Sequence, residues 1–169
     1  MQHRSSAVEA PSRSPRHPFV PWLANLEQWD EDGVGHIPAI PQAHHDSLRI
    51  LIVNDDMHSA ARLKQTLRTL GFSETLVAYS GKRALAAVCG YCPAVAIVDL
   101  KLCDMTGYNL AHTLRSHATR QVREIPLIAV AENSEFAVGE LARAAGFLGL
   151  LSKPVPSWLL NRLLLRGLK

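Results

Sequence analysis

Ala94-Val95-Ala96-Ile97-Val98-Asp99-Leu100-Lys101-Leu102-Cys103-Asp104-Met105-Thr106-Gly107 decides the fold. Five apolar residues in a row, with no polar alternation, describe a strand buried on both faces, as in a parallel sheet. The run ends directly in Asp99. A carboxylate in that place is costly unless it faces a polar site or a cation. Gly107 then opens a helical pattern to Arg115, with Leu110, Ala111 and Leu114 on one face.

Working outward, the same grammar repeats. Leu48–Val53 is a β-type apolar run that ends in Asn54-Asp55-Asp56, with Asp56 placed to cap a helix before Met57. Ala60, Leu63, Leu67 and Leu70 recur at helix spacing until Gly71 stops them. Thr75–Ala78 reads as a strand and Gly81–Val88 as a helix. After Pro126 come a strand over Leu127–Val130, a helix over Ser134–Ala145 closed by Gly146, a strand over Leu148–Leu151, and a helix over Ser157–Leu168. Strand and helix alternate five times. That pattern predicts an α/β fold, a doubly wound parallel sheet of five strands with helices on both faces.

Ligands of such sheets sit beyond the carboxyl ends of the strands. Strand 1 ends at Asp55, strand 3 at Asp99 and strand 5 at Lys153-Pro154. Two carboxylates at neighbouring strand ends repel, and a hard divalent cation relieves the repulsion. Mg²⁺ suits because it takes one or two carboxylates and keeps several waters. A lysine at the same place complements a phosphoryl group. There is no glycine-rich phosphate loop or Walker-type lysine, which argues against nucleotide binding.

Ile50–Asp56, Val98–Gly107 and Lys153-Pro154 together resemble the receiver domain of bacterial two-component response regulators, the CheY-like family. The separations, 44 residues from Asp55 to Asp99 and 54 from Asp99 to Lys153, suit that family. The resemblance covers residues 47–169 and implies a flavodoxin-like sheet of order 2-1-3-4-5. It implies that Asp99 accepts a phosphoryl group from the phosphohistidine of a sensor histidine kinase or phosphotransfer protein. It further implies that Asp55, Asp99 and the backbone carbonyl of Lys101 hold Mg²⁺, with Asn54 acting through a water, and that Lys153 pairs with Asp99 and then with the phosphate. The Lys153–Pro154 peptide is a candidate for the cis form.

Four positions depart from the family pattern. Ala131 stands where a Thr or Ser hydroxyl bonds the phosphoryl oxygen, and alanine has no donor. Glu132 puts a carboxylate at the mouth, where the family is small. Leu150 replaces the switch aromatic three residues before the lysine, and Asn54 removes one negative charge. Two readings therefore stand side by side: a phosphoryl-accepting signalling receiver, or a receiver-shaped interaction module indifferent to phosphate. Neither is an enzyme beyond its own phosphoryl transfer.

A third class rests on Cys89-Gly90-Tyr91-Cys92. A redox C-x-x-C needs its first cysteine at a helix N-terminus. This one ends a helix, where the dipole has the wrong sign, so Cys89 is expected buried and Cys92 in a loop. Cys103, beside Asp99, is expected to be loop filler. His44, His45, His58, His112 and His117 have no metal-ligand spacing and are expected solvated; Asp104 is expected beside the acidic site.

The whole chain has 169 residues and is 47% hydrophobic. No run is long enough to span a membrane, and three cysteines make no disulfide framework, which points to a reducing, cytoplasmic setting. Six of the ten prolines fall in residues 1–46, read as an irregular extension without a secretory h-region. Within it Trp22, Leu23, Leu26 and Trp29 form a two-turn amphipathic pattern behind Pro21. It is either a transient linker helix or a docking element for this domain or a partner. Residues 1–46 hold three arginines against six acids and residues 47–169 fifteen Lys/Arg against nine Asp/Glu, so the two parts carry −3 and +6. The basic residues are scattered singly, which predicts no direct nucleic-acid contact. The sequence stops at Lys169, directly after the last helix, so output is expected through a contact surface for a downstream protein. Leu159, Leu160, Leu163 and Leu164 should pack on the sheet, leaving Trp158 and Leu165 as a candidate interface; homodimerisation is left open.

Overall fold

Residues 48–132 and 135–168 are described by the computed structural model. In chain order they form β1 (Ile50–Val53), α1 (Met57–Thr69), β2 (Thr75–Ala78), α2 (Gly81–Tyr91), β3 (Val95–Asp99), α3 (Gly107–Arg115), α4 (Arg120–Arg123), β4 (Leu127–Ala131), α5 (Phe136–Ala144), β5 (Gly149–Ser152) and α6 (Ser157–Gly167). The five strands are parallel in the order β2-β1-β3-β4-β5, as expected. The extension with Trp22, Leu26 and Trp29 lies outside the described residues, as do Asn133 and Ser134.

The pleat divides each strand between two cores. Leu51, Val53, Ala96, Val98, Leu127, Ala129 and Leu150 face Ala84 and Val88 of α2, Leu110 and Leu114 of α3, and Ala142 of α5. Ile50, Ile52, Val95, Ile97, Ile128, Val130 and Leu151 face Leu63 and Leu67 of α1 and Leu160, Leu163 and Leu164 of α6. All of β1 and β3 is buried, which explains why both run without polar alternation.

Local chemistry sets the helix ends. The Asp56 side chain accepts the His58 N–H, so it caps α1 as expected. Gly71 follows α1 at φ 92° and Gly146 follows α5 at φ 85°, left-handed conformations that glycine adopts without strain. Arg115, at the end of α3, donates to the carbonyls of Arg123, Ile125 and Gly146 and so ties the α4–β4 and α5–β5 stretches to α3.

Several expectations change. α2 continues to Tyr91, with Cys92 as its cap at φ 49°. Cys89 is exposed rather than buried, because it stands one residue past the core position Val88 and so about 100° round the helix. Its sulfur lies 3.7 Å from Nε2 of His117, a half-buried histidine whose Nδ1 accepts the Thr119 N–H. The one-turn α4 has no counterpart in the sequence reading. Leu159 and Leu165 are both half-buried, so Leu165 does not join Trp158 as an exposed pair.

Gly107 closes the loop after β3. Its N–H donates to the Leu100 carbonyl at 2.9 Å, and an added Cβ would lie 2.6 Å from the Asp99 carbonyl oxygen. That neighbour is backbone and cannot yield cheaply. Gly107→Ala should lower stability in urea unfolding by about 1–3 kcal/mol. Gly90→Ala, on an exposed stretch of α2 with nothing within 4 Å of the new methyl, should raise it by about 0.5–1 kcal/mol.

Candidate functional site

The ladders bring the charged strand ends together. Val53 is in register with Val98, so Asn54 and Asp99 emerge side by side. Ala131 is in register with Ser152, and the Lys153 N–H donates to the Ala131 carbonyl at 2.9 Å, carrying β5 one residue further along β4. Asp99 is level with Leu151 across β4, so Lys153 follows two residues beyond that level at the same end of the sheet, and its bond to Pro154 is cis.

Asp99 is only 3% exposed. Its Oδ1 accepts the Lys101 N–H at 2.9 Å and its Oδ2 lies 2.6 Å from the Lys153 ammonium. A buried carboxylate is tolerable only with such partners. Lys153 also reaches Oε1 of Glu132 at 2.9 Å. Burial pulls the Lys153 ammonium toward neutrality, but its bonds to Asp99 and Glu132 outweigh this and hold its pKa above the usual lysine value. Glu132, expected as a repelling charge, is therefore a second partner of the lysine.

Asn54 is buried, and its Oδ1 accepts the Asp56 N–H at 2.9 Å. Asp55 is half-buried and, among the described residues, makes no hydrogen bond or ion pair. The loop that follows Asp99 is held by the Lys101–Thr106 bridge. Ala131 is half-buried and brings no donor to the end of β4, while Leu150 is 3% exposed and packed into the core.

Among the described residues no group of three or more His, Cys, Asp and Glu side chains is gathered tightly enough to hold a metal ion. A Mg²⁺ ion does not require one, since one or two carboxylates, a carbonyl and waters suffice. Asp55 is a carboxylate with no hydrogen-bond or ion-pair partner among the described residues, next to the strand end where Asp99 stands. Hard oxygen donors on adjacent strands fit that ion.

Asp104 is not part of this cluster. Its two carboxylate oxygens accept the N–H groups of Gly81 and Lys82 at 2.9 Å each, at the N-terminus of α2. The Lys82 bond, then that of Gly81, hold its carboxyl below the usual aspartate range. Its partners are 22 and 23 residues distant in sequence, so no local pattern signals this role. Cys103 is exposed. Trp158 is 46% exposed at the start of α6.

The family model described as a response regulator receiver domain matches residues 50–164. Regulatory protein AtoC of Escherichia coli is 30% identical over 121 residues, which are 72% of this chain and 25% of that protein. The chain spans a quarter or less of the length of the curated relatives it matches. Among solved structures, the chemotaxis response regulator CheY4 of Vibrio cholerae is 25% identical with a TM-score of 0.64, covering 71% of this chain and 98% of that one. A sensor protein from Polaromonas is 30% identical with a TM-score of 0.65, covering 72% and 96%.

Removing the ammonium tests the site's electrostatics. Lys153→Met should cost about 2–3 kcal/mol, less than a fully enclosed pair because the lysine side chain keeps 20% of its surface exposed. A lysine raised in the folded state stabilises fully below its unfolded pKa. The gap between wild type and variant should therefore persist to about pH 10 and close as pH rises through the raised value. Glu132→Ala, whose side chain is 75% exposed, should stay within about 0.5 kcal/mol of wild type.

Proposed function

The chain belongs to the response regulator receiver family of two-component signalling, and from that premise we propose that residues 47–169 act as a signalling unit with Asp99 as phosphoryl acceptor. The observation that carries this reading is the buried Asp99 carboxylate with Lys153 on one oxygen and the Lys101 N–H on the other. A structural ion pair alone does not need Asp55, a further carboxylate with no partner among the described residues, at the next strand end.

The donor is a phosphohistidine on a sensor histidine kinase or phosphotransfer protein, as in the family. An Asp99 oxygen forms the new P–O bond while the P–N bond of the donor breaks, and its electron pair returns to the imidazole nitrogen. Lys153 neutralises charge on Asp99 beforehand and on the phosphoryl oxygens afterwards. Asp55, Asp99 and the Lys101 carbonyl would hold Mg²⁺, with Asn54 contributing through a water. The ion supplies further charge neutralisation when bound. Chemistry of this kind is positioning and electrostatics, with a carboxylate as covalent acceptor. Output passes through contacts with a downstream protein.

A second reading, an interaction module that does not need phosphate, is favoured by one group of facts. Ala131 offers no hydroxyl, Leu150 is locked in the core, and Glu132 already engages Lys153. Under either reading, the described residues Ala131 and Leu150 supply neither the hydroxyl nor the aromatic ring of the family's usual switch.

Incubation of the protein with Mg²⁺ and a small acyl phosphate separates the two. The first reading expects an acid-stable, hydroxylamine-labile adduct that Asp99→Asn abolishes; no Asp99-dependent adduct supports the second. Ala131→Thr restores a hydrogen bond to a charged group worth about 1.5–3 kcal/mol. It should therefore raise the phosphoryl-dependent conformational bias by roughly 10- to 150-fold, read by amide chemical shifts with and without phosphodonor.

A further inference from the structure

All five strands run the same way, so the sheet has one end that carries Asp99, Glu132 and Lys153 and an opposite end where the strands begin. A cleft of about 330 Å³ opens at this second end, between α5, the start of β5 and the end of α6. Its lining combines the apolar side chains of Ala142, Phe147 and Leu148 with the guanidinium-bearing Arg143 and Arg166. A hollow of about 350 Å³ shares Phe147, Leu148 and Arg166 and extends to Arg115.

The charge around this cleft is positive. Among the described residues Arg115 binds only carbonyl oxygens and pairs with no carboxylate. Arg166 makes no ion pair among the described residues. Arg143 pairs with Glu140 at the surface, where 68% and 38% of the two side chains are exposed. A cleft lined by both apolar and cationic side chains fits an acidic peptide that carries a large apolar anchor.

The chain contains such a segment. Trp29 is followed at once by Asp30-Glu31-Asp32, within a part of net charge −3. The tether is adequate. Residues 33–47 lead into β1 at the strand-start end of the sheet, the end where the cleft lies, and reach about 50 Å when extended. Between β1 and β5 lie three strand spacings, about 14 Å.

We propose that Trp29 and Asp30-Glu31-Asp32 dock in this cleft of their own chain, the indole on Phe147 and Leu148 and the acids toward Arg166 and Arg143. The contact is intramolecular. It is separate from the Asp99 site and does not depend on whether Asp99 takes a phosphoryl group. It gives the extension a fixed address on the face made by α5, β5 and α6, and any partner that uses this face must first displace it.

The full chain, labelled with ¹⁵N, tests the proposal. Trp29→Ala should move the amide resonances of Arg143, Phe147, Leu148, Gly149 and Arg166 and leave those of Asp55 and Asp99 in place. Arg166→Glu, on the other side of the contact, should reproduce the same shifts at Phe147 and Leu148. Raising the salt from about 0.1 to 1 M should shift the cleft resonances toward those of Trp29→Ala, because the Debye length falls from about 10 to 3 Å. Cleft resonances indifferent to Trp29→Ala would overturn the proposal. So would shifts that vanish on dilution, which would place the segment of a second copy there. Saturable shifts of the wild-type cleft on adding a peptide of residues 22–32 would show an open cleft and would overturn it too, whereas the Trp29→Ala chain should bind that peptide.

Discussion

A carboxylate that is 3% exposed at the end of a fully buried strand is the constraint on which the site end of this molecule depends. Left alone, the Asp99 charge would cost several kcal/mol. The chain meets this with one backbone N–H from the next loop and one ammonium from beyond β5. The ammonium belongs to a strand that is not a neighbour of β3. It arrives only because β4 lies between them in fixed register and because Lys153 continues the β5 ladder by one bond. The sheet order, the close turn at Gly107 and the ion pair are therefore aspects of one requirement.

The fold was legible because its strands are buried on both faces, so continuous apolar runs marked them. The meeting of Asp99 and Lys153 was legible for the complementary reason: both interrupt those runs at the ends where such sheets bind ligands, and the structure sets them in contact. Interactions made by tertiary proximity alone were not legible. Asp104 caps a helix that begins more than twenty residues before it, Arg115 gathers three carbonyls from the α4–β4 and α5–β5 stretches, and Cys89 faces outward to His117. Helical spacing gave the direction of the α6 face correctly and its width wrongly. Leu160, Leu163 and Leu164 are buried, but Leu159 and Leu165 both lie at the margin.

The departures from the family pattern form one set. Among the described residues, Ala131 brings no hydroxyl to the end of β4, and Leu150 is an aliphatic side chain packed into the core. What remains adjustable is Lys153, held between a buried carboxylate and an exposed one. Charge added at Asp99 would draw the ammonium inward, and Glu132, at 75% exposure, would lose its partner at little cost because water replaces it. A response built this way changes surface charge beside the start of α5 instead of repacking the core.

Such a local response meets the rest of the molecule through two helices. α5 begins shortly after Glu132 and α6 shortly after Lys153-Pro154, at the site end of the sheet; both finish at the arginine-lined cleft, near Arg143 and Arg166. The strands between them are bonded on both sides or buried, and close-packed interiors resist gradual deformation. Movement of α5 or α6 as a rigid body would alter both ends at once, whereas a change of Lys153 rotamer would alter only one. Both helices thus run from the carboxylate site to the cleft, and their apolar faces, Ala142 on α5 and Leu160, Leu163 and Leu164 on α6, rest on opposite sides of the sheet.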